Sequence, residues 1–469
     1  MFSFTGTYTD KYQLTMAQVY FLKGAQEQIA IFDYFFRKLP FKGGYAVFAG
    51  LSDLLDILEN YHFTQEDIDF LREQDFHPQF LDYLQDFRFK GTLYSCREGE
   101  VIFPTCPVLT VEANIIEAQV IETILLNILN FQTLIATKAN RMRQVAGERG
   151  LLDFGLRRAQ GPGGYYASRA AIIGGFNATS NVCAGRDYHI PTSGTMAHSF
   201  IQSYDNELDA FRDFVNIWPD NSVLLVDTYN TLESGLPNAI IVGKELEAKG
   251  YQLKGVRLDS GDLAYLAKIA RQMLDEAGMN DVQIVASNQL DEYVIKSLID
   301  QGAPIDVFGV GTNLVVGNPD GALDGVYKLA FANQKSRIKL SENISKITLP
   351  DKKQVYRVFD KHEMFLGADI IAVDSENEVE LMHHPFEVSR SLSLEGYKKA
   401  PLLQKVMNNG QSLLPESSLS EIAEYCQYRV NQLPEEYKRF NNPHLYKVGL
   451  STKLRDERDK LMQEHKRVL

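Results

Sequence analysis

The sequence is poor in cysteine and lacks the spacings that a zinc site or a disulfide scaffold requires. Its four cysteines, Cys96, Cys106, Cys183 and Cys426, are scattered, and no two of them form a C-x-x-C pair. Structural zinc sites need close pairs of ligands, and secreted disulfide scaffolds contain cysteine at a far higher density. We therefore expect reduced, structural thiols and no zinc site.

Positive charge and uninterrupted apolar sequence are also lacking. The chain has 48 Lys and Arg residues against 61 Asp and Glu residues, a formal net charge of −13, which argues against general nucleic-acid binding. Residues 115–135 are the most apolar stretch, but polar side chains such as Glu117 and Asn127 interrupt it, as in a buried helix. The first residues lack the basic start and apolar run of a secretory signal. These features predict a cytoplasmic protein with no membrane partner.

The length of 469 residues exceeds what one hydrophobic core usually supports, so more than one domain is expected. Residues 1–150 mix helical and strand-like segments without a regular order. Residues 151–340 alternate strands and helices, which predicts an α/β fold with an irregular, TIM-like (β/α) barrel, and residues 341–469 return to short strands and then helices. No G-x-x-x-x-G-K-[ST] motif is present, so any use of ATP would not be of the P-loop type.

Six apolar runs in the barrel-like region each stop at a small, polar cluster. Their spacing is close to the ~31 residues per unit of an eight-unit barrel of ~250 residues. In parallel β/α folds the carboxyl ends of the strands, with the loops that follow, build the active site. The pattern therefore predicts an enzyme with one pocket at these strand ends. The six residues taken as tips are Asp153, Gly194, Asp227, Asp259, Asn288 and Gly311.

His198 lies where a strand-like run gives way to a helical one. A histidine there can act as a base, a phosphate contact or a nucleophile, and a helix amino terminus favours a bound anion. The alternative is a buried histidine whose hydrogen bonds are satisfied within the fold. Asp227, at the next tip, favours the functional interpretation, because a carboxylate beside an imidazole fixes its tautomer and raises its nucleophilicity.

Two further tips carry groups suited to a charged substrate. Arg257 and Asp259 are two residues apart and point to one strand face, where Arg offers a fork for carboxylate or phosphate and Asp can accept from ribose hydroxyls or hold Mg²⁺. A structural ion pair between the two is the alternative. Gly309, Gly311 and Thr312 close a very apolar strand, and backbone amides and a hydroxyl there could cradle a phosphate.

Three residues could meet a planar, charged ligand. Phe154 and Arg157 follow the first tip, and Tyr12 lies near the amino terminus. Aromatic side chains could stack on a planar ring while Arg meets its charge. On periodicity alone, packing is the simpler interpretation of all three.

Taken together, these segments resemble nicotinate phosphoribosyltransferases. The matching blocks run in family order, and the sequence beyond residue 350 carries less of the pattern. The resemblance implies an irregular β/α barrel with the active site over residues 151–340. It also implies an α/β domain made of residues 1–150 and of residues 341–469, which pack back onto them. The blocks are Thr9-Asp10-Lys11-Tyr12-Gln13, Phe154-Gly155-Leu156-Arg157-Arg158-Ala159-Gln160-Gly161, Gly194-Thr195-Met196-Ala197-His198-Ser199, Asp227-Thr228-Tyr229, Gly255-Val256-Arg257-Leu258-Asp259-Ser260-Gly261-Asp262 and Gly309-Val310-Gly311-Thr312.

The resemblance implies a reaction in which nicotinate and phosphoribosyl pyrophosphate give nicotinate mononucleotide and pyrophosphate, the first step of NAD salvage from nicotinate. ATP hydrolysis would be coupled to this transfer through a phosphohistidine, and His198 holds that position. Mg²⁺ would enter with phosphoribosyl pyrophosphate and ATP. The chain would form a homodimer with shared active sites, in which Tyr12 serves the other subunit.

The resemblance also implies roles for single residues. The catalytic set would be His198, oriented by Asp227, together with Arg257. Nicotinate would stack between Phe154 and Tyr12 of a larger substrate-binding set, with Arg257 and Thr195 holding its carboxylate and Arg157 adding positive charge. Asp259 would contact the ribose, and Gly311 and Thr312 would bind its 5′-phosphate. That set is Tyr12, Phe154, Arg157, Ser180, Thr195, Arg257, Asp259, Gly309, Gly311 and Thr312.

Ser180 bears on the choice of substrate. Nicotinamide-using relatives carry an Asp, which accepts from the carboxamide, where an ungapped count places Ser180 in this chain. The lack of that negative charge suits a carboxylate ligand. The nearest rival function is a related enzyme acting on nicotinamide or quinolinate, and a rival of another class is a non-catalytic barrel that senses a nucleotide or phosphosugar. A sensor needs no phosphorylatable histidine, so His198 with Asp227 argues against it.

Overall fold

A computed structural model of the chain describes residues 4–343, 346–376, 378–387, 389–415 and 417–466. The chain divides into two compact units, which we call the terminal unit and the central unit. The terminal unit comprises Met1–Thr137 and Ala322–Leu469, and the central unit comprises Lys138–Gly321. The central unit thus begins within the helix that precedes residue 151 and ends before residue 340.

The helices and strands have the following bounds in chain order. The strands are β1 (Ile29–Phe36), β2 (Ala46–Val47), β3 (Thr92–Ser95), β4 (Val101–Ile102), β5 (Leu109–Asn114), β6 (Gly150–Asp153), β7 (Ala178–Thr179), β8 (Val223–Leu225), β9 (Gly255–Leu258), β10 (Gln283–Ser287), β11 (Val307–Val310), β12 (Gly325–Ala332), β13 (Lys335–Ser336), β14 (Lys353–Phe359), β15 (Phe365–Val373), β16 (Leu381–His383), β17 (Ser391–Ser393), β18 (Lys398–Pro401), β19 (Gln404–Asn408), β20 (Gln411–Ser412) and β21 (Lys447–Leu450). The helices are α1 (Lys11–Leu22), α2 (Leu51–Asn60), α3 (Gln65–Glu73), α4 (Pro78–Gln85), α5 (Ile115–Val120), α6 (Glu122–Ala146), α7 (Pro162–Ile173), α8 (Val182–Tyr188), α9 (His198–Gln202), α10 (Glu207–Ile217), α11 (Leu236–Glu247), α12 (Leu263–Glu276), α13 (Glu292–Asp300), α14 (Thr312–Val315), α15 (Leu419–Gln432), α16 (Glu435–Lys438) and α17 (Thr452–Lys466).

The terminal unit is built on two larger sheets; the seven-stranded sheet draws strands from both ends of the chain, whereas all strands of the six-stranded sheet lie within residues 353–450. One has seven strands in the order β13-β12-β1-β5-β3-β19-β20, and the other has six in the order β17-β16-β21-β15-β14-β18. Strand β12 was expected within the barrel-like region, but it pairs antiparallel with β1, from Ala30 opposite Ala332 to Phe36 opposite Gly325. An apolar run does not reveal whether its partner strand is parallel or antiparallel. The sequence of β12 therefore could not show to which sheet this strand belongs.

A buried ionic network lies in the terminal unit around Arg357. This side chain is fully buried and donates to both oxygens of Asp369, at 3.0 and 2.8 Å, and to Glu100 at 2.6 Å. Arg429 donates to Glu100 at 2.9 Å, and the Tyr446 hydroxyl donates to Asp369 at 2.9 Å. Burial acts to raise the pKa of Glu100, but Arg357 and then Arg429 outweigh it and hold that pKa below its usual value.

The central unit contains one six-stranded sheet in the order β7-β6-β11-β10-β9-β8, and every pairing in it is parallel. The predicted α/β class is confirmed. Within the residues that the structure describes, the sheet ends at β7 and β8, so it is a half-barrel rather than a closed ring of eight strands. Between these two edge strands the chain forms helices α8, α9 and α10, and only an isolated bridge joins Thr192 to Thr179.

Helices of the central unit begin at side-chain caps. Asp262 accepts from the amide of Tyr265 at 3.0 Å to start α12, and Asp291 accepts from two amides to start α13. The first residue of α13, Glu292, is fully buried and binds both Lys138 and Arg141 of α6. These contacts fix the helices that flank the parallel sheet. No helix in the described ranges is long and apolar enough to cross a bilayer.

Candidate active site

The carboxyl ends of the parallel strands meet at one edge of the central sheet, as the sequence predicted. Five of the six predicted tips lie at this edge, at or just after the end of a strand, whereas Gly194 lies in a loop between the bridged Thr192 and helix α9, which starts at His198. Polar side chains from different strands therefore come together at this edge. The five tips that end a strand or follow one within two residues are Asp153, Asp227, Asp259, Asn288 and Gly311.

Asp153 is a structural acid. Its side chain is fully buried and accepts from the Gly155 amide at 2.8 Å, the Ser168 hydroxyl at 2.8 Å and the Thr179 hydroxyl at 2.7 Å. Burial raises the pKa of this carboxyl, and the three donors act against that rise. Its oxygens are already bound, so Asp153 ties the turn after β6 to α7 and β7.

Asp227 organises the loop that follows the neighbouring strand β9. Its Oδ2 accepts from the amide of Asp259 at 2.9 Å and from the Ser260 hydroxyl at 2.6 Å. Its Oδ1 is buried and has no hydrogen-bond partner within the described part of the chain. A buried carboxylate oxygen without a donor is costly, so it marks a place where a ligand or cation would be accepted.

His198 does not bind Asp227 as the sequence predicted. Its Nδ1 is 3.1 Å from the hydroxyl of Thr228, the residue after Asp227, and its Nε2 is 3.8 Å from Oδ2 of Asp259. Asp227 has turned its Oδ2 towards the Asp259 amide and the Ser260 hydroxyl, which explains the difference. The acid that faces the imidazole is therefore Asp259.

Arg257 points into the same edge. Its Nη1 donates to the Thr195 hydroxyl at 2.8 Å and to the Met196 carbonyl at 3.2 Å, while its Nε is buried without an acceptor among the described residues. Burial lowers the pKa of this guanidinium, and Asp259 and Asp227 act to raise it. No ion pair within 4 Å joins Arg257 to Asp259 in the described structure, so the structural-pair alternative fails.

The ring of Phe154 lies over Gly309. A Cβ on Gly309 would stand 2.4 Å from this ring, and a Cβ on Gly311 would stand 3.2 Å from the Phe154 carbonyl oxygen. The Phe154 amide donates to the Val310 carbonyl at 2.8 Å, and this bond fixes the backbone of Phe154 at the end of β11. Gly309 is thus needed for close packing of the ring, a role that the sequence did not suggest.

Four other predicted residues are less tightly held. Arg157 is exposed in a single helical turn after β6, and Thr312 is exposed at the start of the short helix α14. Ser180 is half-buried, and its amide donates to the Asp153 carbonyl at 2.8 Å. Tyr12 lies on α1 of the terminal unit with 51% of its surface exposed.

Sequence reasoning missed the hydroxyls that connect the acids of this edge. Thr228, Ser260 and Ser287 bind His198, Asp227 and Asp259 respectively. Ser287 directly follows the last apolar residue of β10, whereas Thr228 and Ser260 each follow the acid at the end of a strand; these positions were the available signal. No group of three or more His, Cys, Asp or Glu side chains placed to share a metal ion occurs among the described residues.

Three sequence profiles of one family match the chain. The N-terminal domain profile of nicotinate phosphoribosyltransferase matches residues 7–130, the family profile matches residues 150–384, and the C-terminal domain profile matches residues 352–458. Among curated proteins, the chain is 45% identical to nicotinate phosphoribosyltransferase of Bacillus subtilis, over 95% of this chain and 92% of that protein. It is 37% identical to that of Caenorhabditis elegans, over 95% and 91%.

Solved structures agree with the sequence matches. The crystal structure of human nicotinic acid phosphoribosyltransferase superposes with a TM-score of 0.87 and 30% identity, over 97% of this chain and 99% of that one. A nicotinate-nucleotide pyrophosphorylase from Pyrococcus furiosus has a TM-score of 0.71 at 23% identity, over 91% and 95%, and shares the fold. Matches over nearly the full length, with the expected strand-end residues in place, establish that the chain belongs to the nicotinate phosphoribosyltransferase family.

Proposed function

We propose that the chain joins nicotinate to phosphoribosyl pyrophosphate, giving nicotinate mononucleotide and pyrophosphate, and couples this transfer to ATP hydrolysis through phosphorylation of His198. The observation that carries the proposal is the convergence of the His198 imidazole, the Asp259 carboxylate and the half-buried Arg257 guanidinium at one sheet edge. These groups suit a phosphoryl acceptor, a ribose contact and a carboxylate contact. The product would make this the first step of NAD salvage from nicotinate.

Arg257 would hold the carboxylate of nicotinate. Thr195 already fixes its Nη1, while its buried Nε has no acceptor in the described structure, so the guanidinium keeps donors for a planar carboxylate. Phe154 would stack on the pyridine ring, and the exposed Arg157 would add positive charge. Tyr12 would complete the stack from the other subunit of a homodimer.

Phosphoribosyl pyrophosphate would lie at the neighbouring strand ends. Asp259 would accept from its ribose hydroxyls, while Gly311 and Thr312 would meet the 5′-phosphate, with Gly309 keeping Phe154 in place. Mg²⁺ would accompany the phosphate groups and neutralise the leaving pyrophosphate. Carboxylate oxygens are the donors that Mg²⁺ prefers, and the buried, unpartnered Oδ1 of Asp227 fits that requirement.

In the transfer step the bond from ribose C1′ to the pyrophosphate oxygen breaks, and a bond from C1′ to the pyridine nitrogen forms. The nitrogen lone pair attacks directly, so no base has to remove a proton. An oxocarbenium-like ribosyl centre needs positioning and nearby negative charge. Arg257 would position the attacking ring through the nicotinate carboxylate, and the Asp259 carboxylate, at the ribose hydroxyls, would supply the negative charge.

In the coupling step, His198 would accept the γ-phosphoryl group of ATP on a ring nitrogen with release of ADP, and water would later remove it. Nδ1 is hydrogen-bonded to Thr228, so Nε2 is the nitrogen left for the phosphoryl group. Phosphorylation would organise the pyrophosphate site and drive a nearly balanced equilibrium forward.

The test is product formation from phosphoribosyl pyrophosphate, Mg²⁺ and either nicotinate or nicotinamide, with and without ATP. Formation of nicotinate mononucleotide that ATP stimulates, together with no product from nicotinamide, would support the proposal and the role of Ser180. Turnover of nicotinamide would overturn the choice of substrate. A lack of phosphoribosyl transfer to either base would refute the assignment as an enzyme and favour a phosphosugar sensor. A cytoplasmic location stays a prediction.

A further inference from the structure

We infer that Ser287 is a positioning residue of this active site, which holds the Asp259 carboxylate in its working orientation. The inference rests on the proposed function, in which Asp259 works beside the reacting ribose and His198. Ser287 is the last residue of β10 and only 3% of its surface is exposed. Its hydroxyl donates to Oδ1 of Asp259.

Strand register brings the two residues together. In the parallel pair β9 and β10, Val285 lies opposite Arg257 and Ala286 opposite Leu258. The next pair in this register is Ser287 and Asp259, whose side chains leave the neighbouring strand ends in the same direction. The contact is therefore set by the sheet itself and does not depend on a long or flexible loop.

Asp259 is fixed at two points by two different elements. Asp227, after β8, accepts from its amide at 2.9 Å, and Ser287, on β10, donates to Oδ1. This arrangement leaves Oδ2 at 3.8 Å from Nε2 of His198. Without the serine hydroxyl, the Asp259 carboxylate can rotate about its Cβ–Cγ bond. Its Oδ2 would then no longer be held towards the imidazole or the ribose.

The hydrogen bond joins a hydroxyl to an ionised group in a half-buried setting, where such bonds are strong. A loss of orientation at a group beside the reacting centre affects the transition state more than the binding of the aromatic substrate. Ser287→Ala is therefore expected to lower kcat by about 10- to 100-fold with little change in the KM for nicotinate.

Ser222 provides a matched control. It is also a buried serine beside the same sheet, directly before β8, and its hydroxyl donates to the Gln252 carbonyl and accepts from the Lys254 amide, each at 3.2 Å. It stands at the amino end of a strand, opposite the site. Ser222→Ala removes an equivalent hydroxyl and should leave kcat and KM unchanged.

The experiment measures kcat and KM for nicotinate and for phosphoribosyl pyrophosphate, with ATP present, in the wild type, Ser287→Ala, Ser287→Thr and Ser222→Ala, with thermal melting as the check of folding. Thr restores the hydroxyl and should recover most of kcat. If its added methyl group prevents folding, Ser287→Cys, a weak donor of similar size, should behave as Ser287→Ala. A wild-type kcat in Ser287→Ala, or an equal loss in Ser222→Ala, would overturn the inference. An inactive wild type would instead refute the proposed function.

Discussion

Replacement of Arg357 by Met should destabilise the terminal unit strongly. The substitution keeps an unbranched side chain of similar length but removes the guanidinium that binds Asp369 twice and Glu100 once. Glu100 keeps Arg429 as a cationic partner, whereas Asp369 keeps only the Tyr446 hydroxyl among the contacts described above. One buried carboxylate thus loses its counter-ion.

The cost follows from that single uncompensated charge. Breaking a buried ion pair by removing one partner costs about 3–5 kcal/mol, because the remaining charge stays out of water. The new Met can pack against the Phe365 ring, which lies 4.5 Å from the arginine's terminal carbon, so packing losses are small. Since domains are stable by about 5–15 kcal/mol, about a fifth or more of the stability of this unit is at stake.

The assay is urea unfolding of the full chain, monitored through a signal that reports on the terminal unit. Lys398→Met, which removes an exposed ion pair of the same unit, is the control. Lys398 binds Glu363 at 2.6 Å, but both side chains are more than 60% exposed, so this change should cost at most about 1 kcal/mol. In the wild type, the depressed pKa of Glu100 gives stability that is present above the ordinary glutamate pKa and is lost as the pH falls through the lowered value. Equal effects of Arg357→Met and Lys398→Met would refute the reasoning.

Three further predictions concern the site. His198→Ala should abolish the stimulation by ATP and leave at most slow, ATP-independent transfer, measured as nicotinate mononucleotide formed with and without ATP. Arg257→Lys should raise the KM for nicotinate by about tenfold or more, because a lysine cannot offer two parallel donors to a carboxylate; an unchanged KM would remove Arg257 from the binding site. Gly309→Ala should displace the Phe154 ring and cost about 1–3 kcal/mol of stability with weaker nicotinate binding, and an unaltered melting temperature would contradict the packing described here.

The strand ends were predictable because parallel strands carry a strong local signal. A buried apolar run followed by a polar residue marks the carboxyl end, and the sheet then places all such ends at one edge. Asp227, Asp259 and Gly311 were located in this way. The closure of the sheet was not predictable, since the sequence between β7 and β8 forms helices where another strand was expected.

Pairings between side chains were harder to foresee than their positions. The partner of His198 proved to be Thr228 with Asp259 nearby, because Asp227 satisfies the amide of Asp259 and the hydroxyl of Ser260. Such choices depend on rotamers and on the register of neighbouring strands, which periodicity does not contain. The sequence assigned Asp227 to the imidazole of His198, whereas the structure places Asp259 closer to it; both acids lie at the same edge of the sheet.

The order in which the terminal unit draws its strands from the chain has a consequence for biosynthesis. Strand β1 pairs with β5 early in the sequence, but its other neighbour, β12, follows the whole central unit, Lys138–Gly321. At ~5–20 residues per second, a ribosome needs about ten to forty seconds to make that intervening segment. Throughout this interval the nascent chain carries an apolar strand with an open edge, which is the kind of surface that chaperones protect.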